Sequence, residues 1–153
     1  MDRWLSGFLV SMTTNPDLTT PNLTPNPTPN PNMKLPSAAH PITIEPNPAR
    51  VVVTVAGRVV ADTRRALTLR EADYPPVQYI PREDVDLSLL LRNDHASYCP
   101  FKGDAAYYSI PAGGDRSVNA VWTYEQPYDA VRDIAGHLAF YPSRVDSIEQ
   151  QLT

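Results

Sequence analysis

The chain is poor in cysteine and in long apolar runs. Cys99 is the only cysteine among 153 residues, which excludes an intramolecular disulfide and a zinc site built from several cysteines. A lone thiol is typical of a reducing compartment. No apolar run is long enough to predict a transmembrane helix, and the N-terminal residues lack the three-part signature of a signal peptide. We therefore expect a cytoplasmic protein with no membrane partner.

Basic residues are too few to predict binding to nucleic acid. The sequence has 13 lysines and arginines against 17 aspartates and glutamates, for a formal net charge of -4. Proteins that bind DNA or RNA neutralise phosphates with a basic patch or stripe. The local cluster of Arg64, Arg65 and Arg70 is too small to form one, so we expect no nucleic-acid partner.

Proline is abundant, and its placement divides the chain. In the tract 21–32 proline alternates with asparagine or threonine. Proline fixes φ and removes a backbone donor, and the tract has too few apolar side chains to offset the entropy of ordering. We predict a disordered Pro/Asn-rich arm over residues 1–36, followed by a single β-rich globular domain over residues 37–153.

Two β-branched runs around a glycine turn predict a β-hairpin. Residues 50–55 and 58–63 are rich in valine, and Ala56-Gly57 between them suits a two-residue turn. Alternation of apolar and polar residues predicts the other strands, of which the one entered through two prolines should lie at a sheet edge. These other predicted strands are 42–45, 66–71, 76–80 (at an edge), 105–110 and 118–124.

Two short helices are expected between the strands. Pro81 followed by acidic residues is a helix-start signal, and the leucines through Leu91 could form one apolar face before an end at 93–95. Pro127 opens a second helix with apolar residues at helical spacing, although 137–141 fits a final strand equally well. The predicted fold class is α+β, mostly antiparallel β-sheet with one or two short helices.

Aromatic residues are concentrated on one predicted sheet face. If the strands on either side of the glycine loop pair, Ala105 lies opposite Trp122 and Gly103 opposite Tyr124, with Tyr107 on the same face. Small residues opposite large rings would leave a recess that could hold a flat or cationic ligand by stacking and cation–π attraction. The alternative is that the rings form the ordinary core of a half-buried sheet.

The segment around Cys99 offers a candidate catalytic site. Lys102, three residues away, could favour the thiolate, and His95, oriented by Asp94, could act as a base. An enzyme that uses Cys99 and Lys102 is therefore one alternative. The other is a buried cysteine that packs as a small apolar side chain beside an exposed lysine.

An acidic cluster provides a further enzymatic alternative. Asp84 and Asp86 form an Asp-x-Asp pair, which can hold magnesium in nucleotidyl transfer. No glycine-rich phosphate loop precedes the pair, and acidic side chains at a helix N-terminus need no metal. Lone His40 and His137 are interpreted as surface or packing residues. We therefore predict neither a metal site nor a cofactor.

Five segments in order resemble a widespread, mostly bacterial family, the domain of unknown function 427. The resemblance covers about residues 40–149, and the arm lies outside it. The segments are His-Pro-Ile-Thr-Ile-Glu at 40–45, Val-Val-Ala-Asp-Thr at 59–63, Tyr-Ile-Pro-Arg-Glu-Asp-Val at 79–85, Tyr-Cys-Pro-Phe-Lys-Gly-Asp at 98–104 and Ala-Phe-Tyr at 139–141.

The resemblance implies a small protein without an established activity, in a family loosely labelled nucleotidyltransferase-like. It also implies a β-tent-like fold, in which antiparallel sheets meet at an angle around a cleft. Similar domains use aromatic cages for small cyclic ligands, whereas the paired Cys-x-x-Cys zinc ligands of other members are missing here. The positions of interest by family motif are Tyr79, Arg82, Cys99, Lys102, Gly103, Trp122 and Tyr124.

The function expected from these features is binding of a small molecule in an aromatic-lined cleft. Arg82 and Lys102 would select an anionic or polar group, unless Arg82 instead forms a salt bridge with Glu83 or Asp84. An enzyme and a ligand-free scaffold, for example a homodimer, are the alternatives. The predicted ligand-binding residues are Tyr79, Arg82, Gly103, Tyr107, Trp122 and Tyr124.

Overall fold

The computed structural model of the protein describes residues 30–152. From Met33 onward the described residues form one compact unit of ten strands and five short 3₁₀ helices. Most of the predicted arm over residues 1–36 lies outside the described residues. No helix in the described part is long and apolar enough to cross a membrane. The fold class is α+β with mostly antiparallel sheet, as predicted.

The strands and helices follow one another in short steps. The strands are β1 (Ile42–Pro46), β2 (Arg50–Val55), β3 (Arg58–Thr63), β4 (Leu67–Glu71), β5 (Val77–Tyr79), β6 (Leu91–Cys99), β7 (Gly103–Ser109), β8 (Val121–Thr123), β9 (Leu138–Phe140) and β10 (Ser147–Gln151). The 3₁₀ helices are Arg82–Asp84, Leu87–Leu89, Pro111–Ser117, Asp129–Ile134 and Pro142–Arg144.

Three antiparallel sheets make up the unit. Sheet I has the strand order β9-β8-β7-β6, sheet II the order β10-β2-β3, and sheet III the order β1-β4-β5. Sheet III is joined to sheet I where Ile80, just after β5, exchanges two backbone hydrogen bonds of 2.8 Å with Leu138 of β9. The prediction that the strand after Pro75 and Pro76 lies at a sheet edge is confirmed, since β5 ends the order of sheet III.

Sheet I separates two apolar clusters. Because side chains alternate along a strand, Tyr107 of β7 packs with Tyr79 and Leu69 of sheet III. Its neighbour Tyr108 packs on the other side with the valines of sheet II, such as Val53. The strand pattern therefore sends the side chains of these adjacent tyrosines into different apolar clusters.

The predicted hairpin is confirmed. Strands β2 and β3 pair antiparallel around Ala56 and Gly57, whose φ angles are 52° and 76°. Both central residues of a type I′ turn need positive φ, because that turn matches the twist of the flanking strands. Glycine adopts this conformation without cost, whereas alanine does not.

The predicted pairing of the aromatic strands is shifted by two residues. Trp122 lies opposite Tyr107 instead of Ala105, and β8 is shorter than the predicted strand. A shift of two residues leaves each side chain on the same face, so Tyr107, Trp122 and Tyr124 still share a cluster. Ala105 is buried in that cluster, and the recess expected above it from a small residue facing Trp122 is absent.

The first predicted helix is wrong. Residues 82–89 form two separate 3₁₀ turns, and Leu91–Cys99 then runs as strand β6, so Asn93, Asp94 and His95 lie within a strand. Between the turns Val85 pairs with Ala61 of β3 in an isolated bridge. Extended pairing with β3 and β7 therefore outweighs the local helix signal. After Pro127 the chain forms a 3₁₀ helix and then strand β9, so the alternative of a strand at 137–141 is confirmed. Strand β10, which follows β9, was not predicted.

Candidate functional site

A cavity of about 750 Å³ lies where residues of all three sheets approach one another. Seven of its 21 lining residues are aromatic, and the wall includes four of the six residues predicted to bind a ligand. Those four are Tyr79, Tyr107, Trp122 and Tyr124. Three further aromatic residues of the wall were not predicted to bind a ligand, and these are Tyr74, Phe140 and Tyr141.

Trp122 organises the aromatic wall. Its indole Nε1 donates a hydrogen bond of 3.2 Å to the hydroxyl of Tyr79, and the two rings meet edge to face at 6.2 Å. On the other side Tyr141 lies 4.4 Å from the Trp122 ring at a tilt of 42°. Trp122 is fixed between Tyr107 of β7 and Ala139 of β9 by the strand register. The position of Trp122 is thus set by the sheet and not by a loop.

Two buried phenols in this wall carry hydroxyl groups with spare donor capacity. Tyr79 is 1% exposed and Tyr124 is 7% exposed. Burial raises the pKa of both hydroxyls above the ordinary value, so both stay protonated and can donate. Among the described residues neither hydroxyl donates to a protein acceptor, and Tyr79 only accepts from Trp122. Buried donors without a partner are uncommon and costly.

A buried ion pair lies at one side of the cavity. Lys102, in the turn between β6 and β7, places its Nζ 2.5 Å from Oε1 of Glu71 at the end of β4. Oε2 of Glu71 lies 2.7 Å from Nε2 of His40, whose ring stacks on Phe101 at 4.0 Å. Both Glu71 and Lys102 line the cavity. Glu71 was not a predicted site residue, because no local sequence motif indicates that a residue of sheet III pairs with Lys102 beside sheet I.

The ion pair keeps Glu71 charged. Burial acts to raise the pKa of its carboxyl, but the hydrogen bonds from Lys102 and His40 outweigh burial and hold that pKa below the ordinary value. The interpretation of His40 as a packing residue is therefore incomplete, since its ring both stacks and bonds to Glu71. Sequence spacing alone did not indicate this contact across 31 residues.

Cys99 lies beside the cavity and not in its wall. Its Sγ is 3.7 Å from Nζ of Lys102, and its side chain packs against the aromatic cluster. Glu71 already balances the Lys102 charge, which weakens the field that would favour a thiolate. The candidate base His95 lies four residues earlier on an extended strand and packs its ring on Tyr107 at 4.4 Å. Strand residues advance about 3.3 Å each, so the strand holds His95 away from Cys99.

Two predicted binding residues lie outside the cavity. The guanidinium of Arg82 reaches Tyr108, on the opposite side of sheet I. Gly103 has a φ of 106°, and a Cβ there would meet the backbone of Gln126 at 3.6 Å. Glycine at position 103 thus serves the turn into β7. Neither residue is part of the wall.

The acidic residues near Arg82 are engaged elsewhere. Arg65 lies 3.7 Å from Glu83 and 3.2 Å from Asp84. Arg82 forms no salt bridge with either acid among the described residues, so that alternative role for Arg82 is wrong. Asp86 accepts a hydrogen bond from the hydroxyl of Ser88. Within residues 30–152 no group of three or more His, Cys, Asp or Glu side chains could hold a metal ion.

A comparison with known families matches most of the chain. A family model described as a domain of unknown function, DUF427, matches residues 43–151. The matched residues include every residue of the cavity wall and the Glu71–Lys102 pair. No curated protein matches the chain.

Proposed function

The chain belongs to the family of the domain of unknown function 427, and from this premise we propose that it binds a small planar molecule in the aromatic cavity. Membership in the family brings no activity with it, so the proposal depends on the site. The observation that carries it is a cavity of about 750 Å³ whose wall combines aromatic rings with buried hydroxyl donors that have no acceptor among residues 30–152. Small-molecule sites have typical volumes of about 300–1,000 Å³ and a few polar groups in an apolar wall.

The wall chemistry favours a ligand with a hydrogen-bond acceptor. Tyr79 and Tyr124 each have a donor that a ligand carbonyl or ring nitrogen would satisfy. Lys102 also has three donors, of which Glu71 takes one at 2.5 Å. Because Glu71 neutralises Lys102, a neutral acceptor such as an amide or a cyclic imide suits the site better than a fixed negative charge. A planar ligand is favoured because a flat ring could stack on the rings of Trp122 and Tyr141.

The arrangement of the sheets supports the finer fold assignment. Residues from all three sheets line one cavity, and Ile80 and Leu138 join sheets III and I beside it. We propose on this ground that the fold is β-tent-like. The rings of Tyr79, Tyr107 and Tyr124 would then belong both to the core and to the cavity wall, which accounts for their deep burial.

A thermal-shift screen of planar amides and imides tests the proposal. Benzamide, nicotinamide, uracil and hydantoin would be compared with cyclohexanecarboxamide, which has the amide without the flat ring. We expect at least one planar compound to raise the melting temperature in a saturable way. Tyr124→Phe keeps the ring and removes only the hydroxyl, so it should reduce the shift, whereas Tyr98→Phe, an exposed tyrosine outside the wall, should not.

An enzyme that uses Cys99 and Lys102 is the second candidate. The contact of 3.7 Å between Sγ and Nζ favours it, and the charge of Glu71 opposes it. If a bound compound is turned over, the turnover should vanish in Cys99→Ser while the thermal shift remains. Unchanged turnover in that variant would exclude the thiol mechanism. A chain that responds to no compound and forms a stable dimer would support the scaffold alternative.

A further inference from the structure

A second polar cluster lies on the side of sheet I that faces away from the Trp122 ring. Tyr108, which is 6% exposed, packs its ring into the core and is reached at its hydroxyl by two arginines. Nη1 and Nη2 of Arg82 both lie 3.4 Å from this oxygen, and Nη1 of Arg92 lies 3.5 Å from it. Two guanidinium groups therefore converge on one buried phenol.

The charges of this cluster do not balance. Arg92 forms a two-bond ion pair with Glu125, with distances of 2.8 and 3.1 Å. Arg82 has no carboxylate within 4.0 Å among residues 30–152, because its sequence neighbours Glu83 and Asp84 turn towards Arg65. Two positive side chains thus share one negative side chain, which leaves a net charge of about +1 that an anion would neutralise.

The hydrogen-bond donors of the cluster are also in excess. The Tyr108 oxygen accepts from the arginines, and its own hydroxyl donates to no acceptor in the described part of the chain. Arg82 has five N–H donors in a planar fork, whose only described partner is that single oxygen. A guanidinium fork matches the two oxygens of a carboxylate or phosphate.

The positions of these donors are fixed by the fold. Arg92 and Tyr108 are cross-strand partners in the pairing of β6 with β7, and the bidentate bond to Glu125 holds the Arg92 guanidinium in place. Arg82 follows the buried Pro81 at the start of a 3₁₀ helix. Donors held in position before binding lose less entropy when a ligand arrives.

We propose that Arg82, Arg92 and Tyr108 form a binding site for a small-molecule oxyanion, either a phosphate or a carboxylate. The site lies apart from the aromatic cavity, whose wall contains none of these three residues, and it does not depend on the function proposed for that cavity. The expectation that Arg82 selects an anion is thereby retained, at a different place from the one predicted.

An NMR titration of the full chain tests the site. The arginine Nε–Hε resonances would be followed while sodium phosphate, or separately sodium acetate, replaces sodium chloride at constant ionic strength. We expect at least one of the two anions to shift the Arg82 and Arg92 resonances in a saturable way. The anion that saturates them identifies the source of the oxyanion, whereas saturation by neither anion would overturn the proposal.

Three variants separate a built site from general attraction of anions. Arg82→Gln should weaken the affinity at least tenfold, and Tyr108→Phe, which keeps the ring in the core, should weaken it severalfold. Arg82→Lys keeps the charge but not the fork and should lie between wild type and Arg82→Gln. The matched control is Arg58→Gln, because Arg58 is exposed and has no ion pair in the described residues; its affinity should equal that of wild type. Equal affinities in wild type, Arg82→Lys and Arg82→Gln, or equal shifts at Arg58 and Arg82, would overturn the proposal.

Discussion

The ammonium group of Lys102 lies 2.5 Å from the carboxylate of Glu71, although 31 residues separate the two along the chain. Their side chains are 8% and 12% exposed. Glu71 ends β4 of sheet III, and Lys102 occupies the turn that leads into β7 of sheet I. The pair therefore links two sheets at the wall of the cavity, and several properties of the protein should depend on it.

Removing one member of this pair should strongly destabilise the fold. Lys102→Met leaves the Glu71 carboxylate buried with only His40 as a partner, and the loss of one member of a buried pair costs about 3 kcal/mol or more. Chemical denaturation in urea measures the free energy of unfolding. The matched control is Arg50→Met, which breaks the exposed Arg50–Asp62 pair and should cost much less.

The two members should also be energetically coupled. In a double-mutant cycle, Lys102→Met with Glu71→Gln should destabilise the protein by about 1–3 kcal/mol less than the sum of the single variants. The reason is that the double variant leaves no unpaired buried charge. Strict additivity would show that the contact of 2.5 Å carries no interaction energy.

Stability should fall in acid because of Glu71. Its folded-state pKa lies below its ordinary value of 4.5, so the folded state binds this proton more weakly than the unfolded state does. The contribution of the carboxylate is therefore complete above about pH 4.5 and is lost as the pH falls through the depressed pKa. The difference in unfolding free energy between wild type and Glu71→Gln should be constant near neutral pH and narrow below pH 4.5. A difference that does not change with pH would contradict this assignment.

The reactivity of Cys99 should report the charge of its neighbours. In Glu71→Gln the Lys102 ammonium, 3.7 Å from Sγ, loses its counter-charge, which favours the thiolate. Iodoacetamide should alkylate Cys99 severalfold faster in the folded Glu71→Gln variant than in the folded wild type, as measured by mass spectrometry. Adding Lys102→Met to this variant should remove the acceleration. If alkylation is still faster in the double variant, the cause is exposure of Cys99 by partial unfolding and not the charge of Lys102.

The hairpin turn offers a stabilising substitution. Ala56 has a φ of 52°, a conformation that costs alanine about 1 kcal/mol. Ala56→Asn should raise the free energy of unfolding by about 0.5–1 kcal/mol, since Asn-Gly is a preferred type I′ pair. Its opposite control is Gly57→Ala, which should lower stability by about 1 kcal/mol, because a Cβ at this position meets nothing within 4 Å and the cost is that of the backbone alone.

Local sequence patterns correctly predicted the structural features that depend on residues adjacent in the chain, such as turns and the alternation of side chains along a strand. The turn at Ala56 and Gly57 and the alternation that puts Tyr107 and Trp122 on one face are both confirmed. The cross-strand register was wrong by two residues, although the backbone N–H of Ile110 still donates to the carbonyl of Ser117. The two extra residues lie between Ser117 and Val121, where Asn119 has a φ of 55°. An even error of this kind preserves the face, which is why the aromatic cluster was still recognised.

Contacts between distant segments could not be predicted. Glu71 and His40 meet Lys102 only because sheet III packs beside the turn before β7, and no local pattern indicates this. The opposite error occurred at Arg82, whose place on the cavity was inferred from its sequence segment. The 3₁₀ turn after Pro81 instead directs it to Tyr108. Helix signals failed at Leu91 for the same reason, since pairing with β7 outweighs them.

Fluorescence of Trp122 tests the central claim most directly. The chain has two tryptophans, so the Trp4→Phe protein reports Trp122 alone. Titration with each of the planar amides and imides should give, for at least one compound, a saturable change in emission with an affinity at least fivefold weaker in Tyr124→Phe. If no compound in the set changes the emission in a saturable way, or if the binding compound has the same affinity without the Tyr124 hydroxyl, the cavity is not the binding site described above.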